Sequence, residues 1–151
     1  MNVIRIATED LATFLARVVA QHEPPLSQVS LKTIVPSWIN FINGGIGTAY
    51  GLVSNSGDPA GFLLSFNTID LIDGNTFAFE YLWLVAPQYR NGDVALKLLR
   101  QFEDDAKQAK VAMIICGNNR VFKQDAMRRL YSRLGYKPFS ESFFKRVDNA
   151  S

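Results

Sequence analysis

The sequence predicts an α/β (α+β) fold, a mixed and mostly antiparallel central sheet of six to seven strands flanked by about four helices. Two observations predict it. The apolar period switches between two residues and three to four residues along the chain, and three strand patterns run consecutively through its middle, with helix and strand patterns alternating after them. With 151 residues, 48% of them hydrophobic, the chain has enough apolar surface for one packed core, so a single domain over residues 1–151 is expected.

The elements follow in order. Val3 to Ile6 alternates as a short strand. Thr8, Glu9 and Asp10 offer a helix N-cap with acidic first-turn residues ahead of Leu11, Phe14, Leu15, Val18 and Val19 at helical spacing. That helix should end by Glu23-Pro24-Pro25, and a second, from about Leu31 to Phe41, carries Pro36, which should kink it or start a new turn. Asn43-Gly44-Gly45 breaks this helix. Strand patterns then run over Ile46 to Val53, Ala60 to Leu71 and Thr76 to Val85, separated by turn-forming clusters and so expected as an antiparallel meander. After Pro87 the helical period returns, with Val94, Leu98, Leu99, Phe102, Ala106 and Ala109 on one face. Val111 to Cys116 reads as a buried strand. A last helix carries Ala126, Met127, Leu130, Tyr131 and Leu134, is closed by Gly135, and precedes strand material from Tyr136 to Val147.

Composition narrows the function. A net charge of +2 with no cluster of Lys and Arg argues against nucleic acid as a partner. No apolar run approaches the ~20 residues of a membrane span, and Met1 to Arg5 lacks the organisation of a signal peptide. Together with the single cysteine, this leads us to expect a soluble, cytoplasmic protein. Cys116 ends an apolar run with no His or acid beside it in sequence, as a structural thiol would. His22, the only histidine, follows the first helix, where a cation suits the dipole, and offers little for histidine-based hydrolysis. No metal site is expected.

The junction of strand, Pro87 turn and amphipathic helix at Arg90, Asn91 and Gly92 is suited to an anion. Helix N-termini present unpaired N–H groups along the macrodipole, and glycine lets a ligand approach the backbone. A glycine there can equally serve packing alone. The run Leu82-Trp83-Leu84-Val85-Ala86-Pro87-Gln88-Tyr89-Arg90 resembles the GNAT acetyltransferase signature of an apolar strand, then Val-x-Pro-x-Tyr-Arg, then a glycine-rich turn and a helix with paired leucines, here Leu98-Leu99. Leu130-Tyr131-Ser132-Arg133-Leu134-Gly135-Tyr136 is similar to the second signature of that family, Leu-Tyr-x-x-Leu-Gly-Phe/Tyr. With the order of elements, the resemblance covers nearly the whole chain. The Lys-Leu-Leu-Arg-x-Phe-Glu stretch and a similarly shifted turn also resemble acetyltransferase-like proteins of tailed bacteriophages.

The resemblance implies the acyl-CoA N-acyltransferase (GNAT) fold, acetyl-CoA as cosubstrate and an amine acceptor, small molecule or protein, with direct transfer in a ternary complex. It places the CoA pyrophosphate on Arg90, Asn91, Gly92, Asp93, Val94 and Ala95, and the pantetheine arm along Leu84 and Val85. Asp93 stands where the family has its middle glycine, and Gly92 lies one residue early. Asp93 is expected to turn to solvent. The resemblance implies Tyr131 as the acid that protonates the departing thiolate, a role its phenol, of reference pKa ~10, can fill at neutral pH; the other reading is packing on an apolar helix face. An asparagine contact to pantetheine falls on Asn119, on Gln124 in its place, or on neither. For a general base the residues themselves point to Glu80, a carboxylate in the apolar strand Phe77 to Leu82. The alternative there is an outward-facing charge on an alternating strand. Asp93 also motivates a different class of function, a catalytically inactive GNAT-fold binding or inhibitory module. Trp38 and Phe41 would line the acceptor pocket or the core, or supply a patch for assembly, and a homodimer is compatible with the sequence.

Overall fold

A computed structural model describes residues 1–22, 30–90, 93–117 and 124–139. The element order is β1 (Asn2–Arg5), α1 (Leu11–Val19), α2 (Leu31–Asn43), β2 (Gly47–Val53), β3 (Pro59–Ile69), β4 (Thr76–Val85), a 3-10 turn (Pro87–Tyr89), α3 (Leu96–Gln108), β5 (Met113–Cys116) and α4 (Gln124–Arg133). Among the described residues the strands form one five-stranded sheet in sequential order. β1 to β4 pair antiparallel, and β5 adds to β4 in parallel. Six to seven strands were expected. The difference lies at the C-terminus, where Tyr136 to Phe139 form no strand and the rest of the expected strand falls outside the described residues.

Each face of the sheet carries its own core, as a mixed sheet covered on both sides requires. On one face Leu11, Phe14, Leu15 and Val18 of α1, a stripe at i, i+3, i+4 and i+7, pack with Val35 and Trp38 of α2 against Phe62, Leu64, Leu82 and Leu84. On the other face Leu98, Leu99, Phe102 and Ala106 of α3 and Tyr131 of α4 cover Leu52, Leu63, Trp83 and Val85. Burial of each such side chain contributes about 1.5–3 kcal/mol, so these stripes hold the helices in place. At Gly51 a side chain would meet the Phe14 ring at 2.6 Å and Ile6 at 2.9 Å; the missing Cβ is what lets α1 sit so close to β2.

Several sequence expectations change locally. Asp10 occupies the N-cap of α1 but makes no side-chain cap hydrogen bond. Pro36 lies inside a continuous α2, and the helix runs on to Asn43. α1 ends at Val19, and Glu23-Pro24-Pro25 lies outside the described residues. Trp38 is buried at 2% exposure whereas Phe41 stays at 40%, so only the second can contribute to a surface patch. His22 is buried, its Nδ1 donating to the Val18 carbonyl at 3.1 Å. Among the described residues no helix is long and apolar enough to cross a membrane.

Candidate active site

The site is created by a break in the regularity of β4. Leu64 of β3 faces Leu82 of β4 while Ser65 faces Glu80, so Tyr81 is an extra residue, a β-bulge. In a strand, side chains alternate between faces, and one inserted residue reverses the alternation beyond it. Ala78 therefore shares the α3/α4 face with Trp83 and Val85, whereas Leu82 and Leu84 point to the α1/α2 face. Glu80 precedes the bulge and falls on the α3/α4 face, where it meets Tyr131. This excludes an outward-facing Glu80, which is only 1% exposed.

The bulge also marks where β4 loses its parallel partner. Pairing with β5 ends at Glu80 opposite Cys116, and the Gly117 N–H reaches the Glu80 carbonyl at 3.4 Å. β4 continues to Val85, and among the described residues nothing pairs with this stretch on the β5 side. Ala86 N–H donates to the Ala60 carbonyl, so by antiparallel alternation Leu84 and Leu82 also turn their backbone groups to β3. Trp83 and Val85 present theirs to the open edge. Of the two strand residues expected along a ligand, Val85 thus faces the edge and Leu84 does not. Trp83, which shares this edge, was not among the residues expected there, although an indole N–H in an apolar strand is a donor that needs a partner when buried.

Tyr131 donates to Glu80 Oε2 at 2.9 Å and lies 3.5 Å from the Gly117 carbonyl. Burial pushes the Glu80 carboxyl up to about 7, against the Tyr131 hydrogen bond and the Gly117 amide, which favour the charged form. Burial, and then the neighbouring Glu80 charge, hold the Tyr131 phenol above its ordinary value, so it keeps its proton at neutral pH. Among the described residues, two buried polar atoms of this face have no hydrogen-bond partner, Glu80 Oε1 and Trp83 Nε1. Buried polar atoms without partners are costly in a core and common where a ligand binds.

The position of Tyr131 follows from the end of α4. Gly135 adopts φ +88°, the Tyr136 N–H returns to the Tyr131 carbonyl at 3.0 Å and the Gly135 N–H to Ser132 at 3.2 Å. This is a Schellman closure, and its customary side-chain contact is the edge-to-face pair of Tyr131 and Tyr136 at 5.6 Å. The Tyr136 hydroxyl in turn donates to Glu103 of α3 at 2.5 Å. Burial pushes the nearby Cys116 thiol up to about 12, which keeps it protonated and suits a structural role.

At the turn, Arg90 Nε donates to the Val85 carbonyl at 2.9 Å, which ties the start of the turn to the open end of β4. Asp93 is solvent-exposed, as expected, and pairs with Arg100 at 3.3 Å. Val94 and Ala95 pack on the α3/α4 core and precede α3. Asn91, Gly92 and Asn119 lie outside the described residues, as does the side chain of Gln124. Among the described residues no group of three or more His, Cys, Asp or Glu side chains could hold a metal.

The family model described as Acetyltransferase (GNAT) family matches residues 16–136. Among curated proteins none matches the sequence. Solved structures do. A ribosomal-protein-alanine N-acetyltransferase from Brucella melitensis biovar Abortus 2308 superimposes with a TM-score of 0.74 at 16% identity, over 97% of this chain and all (100%) of that one. An aminoglycoside 6′-N-acetyltransferase from Acinetobacter haemolyticus gives 0.73 at 18% identity, over 98% of this chain and 100% of its own. An aminoglycoside acetyltransferase from an uncultured soil metagenomic sample gives 0.77 at 15% identity, over 97% and 98%. At such identities the likeness is one of fold.

Proposed function

Because the chain belongs to the GNAT acetyltransferase family, we propose that it is an N-acetyltransferase that moves an acetyl group from acetyl-CoA to an amine by direct attack in a ternary complex. The observation that carries this reading is the buried Glu80–Tyr131 pair at 2.9 Å beside the edge of β4 that is unpaired among the described residues.

The open edge suits the pantetheine arm. Its amides both donate and accept, as an added strand would, and Trp83 and the Val85 N–H offer matching backbone groups, the Val85 carbonyl being held by Arg90. The turn from Arg90 to Ala95, ahead of α3, would take the pyrophosphate on its amides. Asp93 is exposed and its carboxylate is paired with Arg100, which weakens the motive for an inactive binding module.

The chemistry divides between the two oxygens of Glu80. Oε1, which has no partner among the described residues, receives the proton released by the attacking amine, directly or through one water. As the new N–C bond forms and the C–S bond breaks, Tyr131 gives its proton to the thiolate. A half-turn of the Glu80 carboxyl group then brings its proton to the Tyr131 oxygen, so the pair returns to its starting state and the protons balance. A carboxyl near pKa 7 is half ionised at neutral pH, which suits a group that must both accept and return a proton. Strand N–H groups at the edge would polarise the thioester carbonyl. The supply of acetyl-CoA and the single free cysteine suit the cytoplasm.

The test is CoA release from acetyl-CoA in the presence of a panel of amines, with a thermal shift in CoA as the binding control. Turnover with an amine supports the reading. Absence of any shift with CoA or acetyl-CoA defeats it at its first step.

A further inference from the structure

The face of the bulge opposite Glu80 carries a continuous group of aromatic rings. Trp38 of α2 lies edge-to-face with Phe41 at 5.5 Å and tilted over Tyr81 at 5.7 Å. Phe66 of β3 contacts Trp38 and Tyr81, both at 6.3 Å, and stacks on Phe79 at 5.2 Å. Buried Trp38 thus supports two exposed rings, Phe41 at 40% and Tyr81 at 51%, with exposed Ile46 just before β2, its N–H bonded to the Phe41 carbonyl. Tyr81 is itself the bulge residue and follows Glu80 directly, so the two side chains leave β4 to opposite faces at the point where its pairing with β5 ends.

Among the described residues, the elements that carry these rings hold little charge. α2, β2 and β3 contain no acidic residue and a single basic one, Lys32, and the only acid of β4 is Glu80 on the other face. In the connecting turns, Asp58 pairs with Arg17 at 2.8 Å, and Asp70 and Asp73 accept from the Ile72 and Asn75 N–H groups. A polycationic acceptor needs carboxylates to hold its additional ammonium groups. An acceptor with one amine on an apolar body needs ring faces to cover that body, and these rings also attract its single ammonium before deprotonation.

We infer that the acceptor is a primary monoamine carried on an aromatic or bulky apolar group, and that Tyr81 and Phe41, supported by Trp38, select it. The assignment rests on the acetyltransfer reading above. Its test is steady-state acetylation with 2-phenylethylamine, spermidine and an aminoglycoside as acceptors, alongside CoA binding by calorimetry and the oligomeric state by sedimentation. We expect kcat/KM for 2-phenylethylamine to exceed that for either polyamine by roughly ten- to hundredfold. Tyr81→Ala and Phe41→Ala should each raise KM for that amine about tenfold while KM for acetyl-CoA holds, and Tyr81→Phe, which keeps the ring, should restore it. Faster turnover of the polycations, or an unchanged amine KM in both alanine variants, overturns the assignment while leaving acetyltransfer standing. So does loss of a dimer in those variants without a change in KM, which would make the surface an interface between copies. Absence of CoA binding removes the acetyltransfer reading and this assignment with it.

Discussion

The Tyr131 hydroxyl and Glu80 Oε2, 51 residues apart in sequence, are joined by a buried hydrogen bond of 2.9 Å. α4 supplies one partner and β4 the other, so the bond closes the α3/α4 face of the sheet at the point where β4 loses β5. It holds the phenol as donor and lowers the carboxyl from where burial alone would put it.

Replacing Tyr131 by Phe removes that donor with little change in volume. If Tyr131 protonates the thiolate, kcat should fall by roughly a hundredfold or more, as loss of a general acid does. The same change leaves a buried carboxylate oxygen unsatisfied, at a cost of about 1–3 kcal/mol in stability, read from denaturant unfolding. Turnover at the wild-type rate would reduce Tyr131 to a packing residue.

Stability should depend on pH through Glu80. Its folded value, about 7, lies above its ordinary 4.5, so the native state binds more protons than the unfolded chain between these values. Stability from this group is therefore fully present below about 4.5 and is lost as pH rises through about 7. Glu80→Gln has no proton to lose. The difference in melting temperature between Glu80→Gln and wild type should grow in favour of the variant across that window and level off above it; a constant difference would contradict the burial argument.

Much of this was legible in the sequence, and the reasons differ by residue. The meander and α3 were visible because one-sided apolar stripes such as Leu98, Leu99 and Phe102 carry a clear period. Tyr131 stood in a seven-residue signature. Which face Glu80 takes was not legible, because β4 is apolar on both faces beyond the bulge, from Leu82 to Val85, and a strand buried on both sides loses the alternation that would betray an extra residue at Tyr81. For the same reason Leu84 and Trp83 could not be told apart as neighbours of a ligand. The carboxylate of Asp93 was expected in solvent and lies there, although Arg100, one turn into α3, was not foreseen as its partner.

Tyr136 should act through Tyr131. Its ring packs edge-to-face on Tyr131 and its hydroxyl is anchored on Glu103. Tyr136→Phe loses the anchor and keeps the ring, at about 1 kcal/mol, so kcat should fall about fivefold with KM for acetyl-CoA unchanged. Tyr136→Ala loses both and should fall further. A merely structural role would lower the melting temperature in both variants without this effect on kcat.

At the turn, Arg90→Ala removes the bond to the Val85 carbonyl and with it a restraint on the open edge of β4. KM for acetyl-CoA should rise about tenfold, equivalent to ~1.4 kcal/mol. Asp93→Asn should change it little at physiological salt, because an exposed pair such as Asp93–Arg100 is worth at most about 1 kcal/mol and is screened. A large gain in affinity in Asp93→Asn would mean that the carboxylate opposes the ligand after all.

In the proposed mechanism Glu80 and Tyr131 move the proton from the amine to the thiolate, and the decisive measurement is the pH dependence of kcat/KM in wild type and Glu80→Gln. Activity in wild type should rise with pH through about 7, where Glu80 ionises. In Glu80→Gln that rise should vanish, and the rate should fall by roughly a hundredfold. The same limb at the same pH in both proteins would contradict the account.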